Sequence, residues 1–174
     1  MIMTNFYKSF LNKIDTLFCG VNITDIISIS DEYDDLIDNT IFLEIDNHKV
    51  IGFYINGMNP YITRNRISEF DDFNLYALYS QLKENKFGIP SSFIVGYIKV
   101  IFNPDYDEVV AIYLSSSDCS SSILIIFSVD ELYIYNDFGE KDLIRLIREK
   151  LFQYENTDFL IFQKSLTDSD WIKS

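Results

Sequence analysis

FIVGYIKVIF (93–102), NPDYDE (103–108), VVAIYL (109–114), SSSDCSSS (115–122), ILIIF (123–127), SVDE (128–131) and LYIY (132–135) follow one another along the chain. Four of these segments are short runs rich in β-branched and aromatic side chains, which suit a pleated, half-buried surface. The segments between them are polar and turn-forming. This reading predicts strands over Phe93–Phe102, Val109–Leu114, Ile123–Phe127 and Leu132–Tyr135. Asn103-Pro104-Asp105-Tyr106-Asp107 makes the first turn, and a hairpin closes around Val129-Asp130. Connections this short join antiparallel neighbours, because a parallel pair needs a long crossover.

The same logic extends in both directions. Ile41–Ile45 and Val50–Ile55 flank Asp46-Asn47-His48-Lys49, which reads as a further hairpin. Residues 21–30, with Ile23, Ile26, Ile27 and Ile29, fit a short strand or an extended link. Asn56-Gly57 and Asn59-Pro60 mark turns. Helices are expected near residues 4–18, 71–85 and 140–154. The first has Phe6, Phe10, Ile14, Leu17 and Phe18 at helical spacing, Thr4 as N-cap and Gly20 beyond its end. The second has Leu75, Leu78, Tyr79 and Leu82, with Gly88 and Pro90 to stop it. The third carries Leu143, Ile144, Ile147 and Leu151 on one side and Lys141, Arg145, Arg148 and Lys150 on the other. Asp158–Phe162 reads as a last strand, and the tail 165–174 holds Trp171. Strands that come in runs argue for an α+β fold, a mainly antiparallel sheet with about three helices packed on it.

At 174 residues the chain is read as one globular domain, 1–174. Hydrophobic residues make up 48% and include 15 Phe and 12 Tyr, enough for a sizeable core and too many for a disordered acidic tail. Cys19 and Cys119 form no CxxC pair and fit reduced thiols, with one disulfide between them as the alternative. The N-terminal residues show no basic segment followed by an apolar one, and the longest purely apolar run is Ile123–Phe127. The expected location is therefore the cytoplasm.

Catalytic chemistry finds little footing. The single histidine, His48, falls in a hairpin tip and reads as a polar turn residue. No G-x-S-x-G, H-E-x-x-H, G-x-x-x-x-G-K-[ST] or G-x-G-x-x-G occurs. Asn103, Asp105 and Asp107 match the first ligand positions of a calcium loop. Its sixth position should be Gly and is Glu108, and its twelfth should be Glu and is Leu114. Cys119 sits in a serine-rich loop with no adjacent base to activate its thiol, and Asp118 opposes ionisation. The expectation is a non-enzymatic protein with no metal and no organic cofactor.

Charge is the stronger signal. Against 27 Asp+Glu stand 14 Lys+Arg, a formal net charge of -13, which disfavours nucleic acid or an anionic membrane as partner and favours a basic protein. The acids cluster around aromatics in three places. These are Asp31-Glu32-Tyr33-Asp34-Asp35, Glu69-Phe70-Asp71-Asp72-Phe73 and Asp105-Tyr106-Asp107-Glu108. An aromatic ringed by carboxylates combines a packing anchor with electrostatic steering, so all fourteen residues are candidate partner contacts. Ordinary solvated caps and turns also select Asp, and Asp71 and Asp72 could simply cap a helix.

In size, acidity and lack of catalytic motifs the chain resembles the bacterial immunity proteins that neutralise contact-dependent-inhibition and related polymorphic toxins. That resemblance implies a cytoplasmic protein binding one cognate toxin domain, often a basic nuclease, and blocking its active site or substrate groove. Two alternatives use the same acids differently. One is a DNA-mimic inhibitor of a nucleic-acid-binding protein, and the other a small carboxylate-dependent hydrolase.

Overall fold

A computed structural model describes residues 4–57, 59–64 and 81–174. In chain order these form α1 (Asn5–Phe18), β1 (Asn22–Ser30), β2 (Leu36–Ile45), β3 (Lys49–Tyr54), β4 (Tyr61–Thr63), β5 (Lys83–Lys86), β6 (Phe93–Ile94), β7 (Tyr97–Asn103), β8 (Glu108–Ser115), β9 (Ser122–Phe127), β10 (Leu132–Asn136), α2 (Leu143–Lys150), β11 (Leu160–Ser165) and β12 (Ile172–Lys173). The class is α+β with antiparallel pairing throughout the described ladders. Among the described residues there are two α-helices rather than about three. None of them is long and apolar enough to cross a membrane.

The chain groups into two compact units. One comprises the residues up to Val21, Phe93–Phe127 and Tyr133–Ser174, and the other Asn22–Ser92 with Ser128–Leu132. In the first, the strand order is β10-β9-β8-β7-β11-β12. Its central strands are buried along their whole length, all eight residues of β8 and all six of β9. Successive strand residues point to opposite faces, so burial of both faces requires cover on both sides. On one side Tyr7 of α1 packs edge-on to Phe102, with ring centroids 4.8 Å apart, and lies 6.4 Å from Phe162. On the other, Leu143 and Ile147 of α2 join Ile101, Ala111, Tyr113, Leu124 and Ile126. Ile161 and Phe162 show the division at one step, since Ile161 packs toward the α2 cluster and Phe162 toward α1.

In the second unit the order along the sheet is β4-β3-β2-β1-β5. Its core gathers Ile27, Ile29, Ile37, Phe42, Val50 and Tyr54. Gly52 lies in β3, where a Cβ would stand 2.8 Å from the Tyr54 ring and 2.9 Å from the Phe42 ring. Those two rings pack edge-on at 5.8 Å over the space its missing side chain leaves.

Several expectations need correction. Most of the helix expected over 71–85 lies outside the described residues, but Lys83–Lys86 is a strand. Lys83 pairs with Ser30 and Lys86 with Ile27. The apolar stripe that argued for a helix ends at Leu82. The four polar residues after it form an exposed edge, where charge discourages further pairing. The helix expected to reach residue 154 is α-helical only over Leu143–Lys150. Leu151 leaves helical geometry at φ -116 and ψ 73, and a short 3-10 turn, Phe152–Tyr154, follows. The expected strand Phe93–Phe102 is broken at Val95-Gly96 into β6 and β7, and the strand expected over Asp158–Phe162 runs over Leu160–Ser165 and is followed by another. β12 in the tail was not foreseen. Residues 21–30, read two ways, hold a strand over Asn22–Ser30.

Candidate partner-binding loops

The first acidic cluster is the β1–β2 connection. Asp31 is used within the loop, its Oδ1 accepting the backbone N–H of Tyr33 at 2.9 Å and of Asp35 at 3.0 Å. Such an Asx turn lets a short loop close without strand pairing. Asp34 takes a left-handed backbone, φ 69, and its carboxylate meets Lys83 Nζ at 2.5 Å. The loop is thus pinned from within by Asp31 and from the β5 edge by Lys83. Tyr33 stands 78% exposed at its apex and Leu36, just beyond, 55% exposed. Glu32 Oε2 is buried with no hydrogen-bond partner, an acceptor in need of a donor.

The second cluster, Glu69, Phe70, Asp71, Asp72 and Phe73, lies outside the described residues.

The third cluster is the β7–β8 turn. Asp105, Tyr106 and Asp107 are exposed, Tyr106 by 66%. Glu108 is not, and its expected place in a surface patch is corrected. The side chain is 4% exposed and accepts the hydroxyl of Tyr154, which the chain delivers by ending α2 early. Asn103, fully buried, reaches Glu108 with Nδ2 at 3.5 Å and accepts Asp105 N–H at 3.1 Å. Asp107, one residue away, hydrogen-bonds Tyr7 of α1. Two adjacent carboxylates therefore hold tyrosine hydroxyls brought from the two helical layers. Burial first, then the carboxylate bond, pushes Tyr7 and Tyr154 each up to about 12, so both are intact donors at neutral pH. The turn carrying Tyr106 is consequently braced on both sides.

Other singled-out residues have structural employment. His48 takes φ 58 in a 3-10 turn, with Nδ1 3.2 Å from Glu44 Oε1. Glu44, 6% exposed, also binds Lys86 Nζ at 2.7 Å, and that ammonium holds its carboxyl below the usual range. Asp118 closes the serine loop by accepting the hydroxyls of Ser116 at 2.6 Å and Ser120 at 2.8 Å, and these bonds lower it to about 2. Sequence reading missed the Glu44–Lys86 and Glu108–Tyr154 pairs. For Glu44 a signal existed, an acid inside the apolar run Ile41–Ile45. Among the described residues no group of three or more His, Cys, Asp or Glu side chains could hold a metal ion.

No protein-family description, no curated protein and no solved structure matches this chain.

Proposed function

We propose that this protein is a stoichiometric inhibitor of the immunity type, which binds a basic toxin domain inside the cell and blocks its active site or substrate groove. The observation that carries the reading is the β1–β2 loop. It presents a mostly exposed tyrosine and a half-exposed leucine among Glu32, Asp34 and Asp35, on a backbone already held by Asp31 and Lys83. A loop ordered before contact loses less entropy on binding, and an aromatic with a polar tip is a common anchor at interfaces. Tyr106 on its braced turn offers a second anchor of the same kind. The net charge of -13 adds long-range attraction for a basic partner.

The hydrolase reading has less support. Glu44 and Glu108, the buried carboxylates of the described residues, are each engaged by a structural partner, Lys86 and Tyr154 respectively.

Affinity capture from the source cells, followed by mass determination of the complex under native conditions, tests the proposal. An equimolar complex with a basic protein is expected. Recovery of a nucleic-acid-binding regulator in place of a toxin would move the reading to the DNA mimic, and hydrolysis of a small substrate by the isolated protein would overturn it.

A further inference from the structure

A cavity of about 420 Å³ lies in the first unit, where the ends of β7, β8 and β11 meet the serine loop. Its volume falls in the range of small-molecule sites, about 300–1,000 Å³. We propose that it is a binding site for an uncharged, polyhydroxylated small molecule of monosaccharide size.

Three observations converge. First, the cavity has a defined wall made by a close approach. Gly96 lines it, and a Cβ on Gly96 would stand 1.9 Å from Ser117 Oγ and 2.8 Å from Ser117 N. Only glycine lets the serine loop lie this close to the strand end. Both backbone groups of Gly96 are also used, its N–H donating to Ser115 O at 2.9 Å and its carbonyl accepting Leu166 N–H at 2.8 Å. Second, the lining is rich in hydroxyls. Ser117, Ser165 and Thr167 contribute them beside the Glu140 carboxylate, the Ser165 and Thr167 hydroxyls standing 3.2 Å apart as a pair. Hydroxyls both donate and accept, which matches a ligand that does the same. The Tyr97 ring and Leu166 give an apolar surface for the C–H face of such a ligand.

Third, the charges cancel. Glu140 Oε1 is held by Lys99 Nζ at 2.6 Å, and the Lys99 side chain is 14% exposed. Lys99 also hydrogen-bonds the Tyr97 hydroxyl, which in turn donates to Gln163 Oε1 at 2.8 Å. A cation entering the cavity would have to compete with Lys99 for Glu140, and an anion meets the Glu140 carboxylate. An uncharged ligand meets neither penalty and still finds a carboxylate oxygen as acceptor for a hydroxyl. This site stands on residues separate from the acid-aromatic loops, so it does not depend on the proposed inhibitory function.

The test is an amide NMR titration of the full chain with D-glucose, D-galactose and N-acetyl-D-glucosamine, and with argininamide and glutarate as cationic and anionic probes. Expected are saturable shifts at Gly96, Ser117 and Thr167 with at least one sugar, in the millimolar range. Ser117→Ala and Glu140→Ala should each weaken that binding about tenfold or more, the loss of one charge-assisted or well-placed hydrogen bond. Gly96→Ala should abolish it, and the serine variant keeps the test open if that protein does not fold. The proposal is overturned if no sugar gives saturable shifts at these amides, if the shifts survive both side-chain variants, or if a charged probe occupies the cavity more tightly than every sugar.

Discussion

Replacing Tyr154 with Phe removes one oxygen atom and leaves Glu108 to carry its consequences. Glu108 is 4% exposed and Tyr154 9%, so water has little access to either. The other donor near the carboxylate is Asn103 Nδ2 at 3.5 Å, the outer limit of a useful bond. A hydrogen bond to a charged group contributes about 1.5–3 kcal/mol, and loss of one partner adds desolvation of the group left behind. The expected cost is therefore about 2–3 kcal/mol, read from urea denaturation at neutral pH with an unchanged m-value. A double cycle with Glu108→Gln separates the pair from its surroundings, because the interaction energy should shrink once the acceptor is uncharged. Alkaline pH supplies a second readout. Tyr154 sits at about 12 in the folded protein against an ordinary value of 10.0. A folded value raised above the unfolded one gives stability that is complete below about pH 10 and lost as pH climbs to about 12. Tyr7 adds to the same limb. Tyr154→Phe should flatten part of that loss. A cost below about 0.5 kcal/mol, the size of an ordinary surface change, with an alkaline limb identical to the parent protein, would refute the bracing of the β7–β8 turn.

Other substitutions probe separate parts of the account. Gly52→Ala drives a methyl into the Phe42 and Tyr54 rings and should cost about 1–3 kcal/mol by thermal or chemical denaturation. Phe102→Ala empties the centre of the aromatic cluster formed with Phe6, Tyr7, Phe10 and Phe162, and should cost about 3–5 kcal/mol. Lys86→Met removes the cation that holds Glu44 low, so the Glu44 carboxyl should titrate at higher pH by NMR. In the parent protein a depressed carboxyl gives stability present above its unfolded value and lost as pH falls through the folded one. The Lys86→Met protein should lose less stability on acidification.

The strands were legible where packing agrees with local pattern. Ile123–Phe127 and Val109–Leu114 fall inside β9 and β8, because a run of β-branched residues buried on both faces looks the same in sequence as in the sheet. α1 was legible from its stripe and its Thr4 cap, whose Oγ1 accepts Tyr7 N–H. β5 was not, since Lys83-Glu84-Asn85-Lys86 has no alternation and is a strand only through its pairing with β1. The break at Gly96 depends on Ser117, twenty-one positions along the chain, packing against it. The exposure of Tyr33 and Tyr106 agrees with the reading of their clusters as surface loops. Glu108 looked identical to its acidic neighbours. Its burial is decided by Tyr154, 46 residues away, which no local window contains.

The central claim is contact through the β1–β2 loop, and the most direct measurement is the binding kinetics of the captured partner against loop variants. Asp31 must be kept, because its carboxylate closes the turn. Asp34 is kept as well, because it holds Lys83, and reversal of Glu32 and Asp35 to Lys should slow association and flatten its dependence on salt. Tyr33→Ala should instead speed dissociation and cost about 2 kcal/mol or more of affinity. Unchanged rates and affinity for both variants, each confirmed folded, would contradict the claim and leave this loop an ordinary solvated turn.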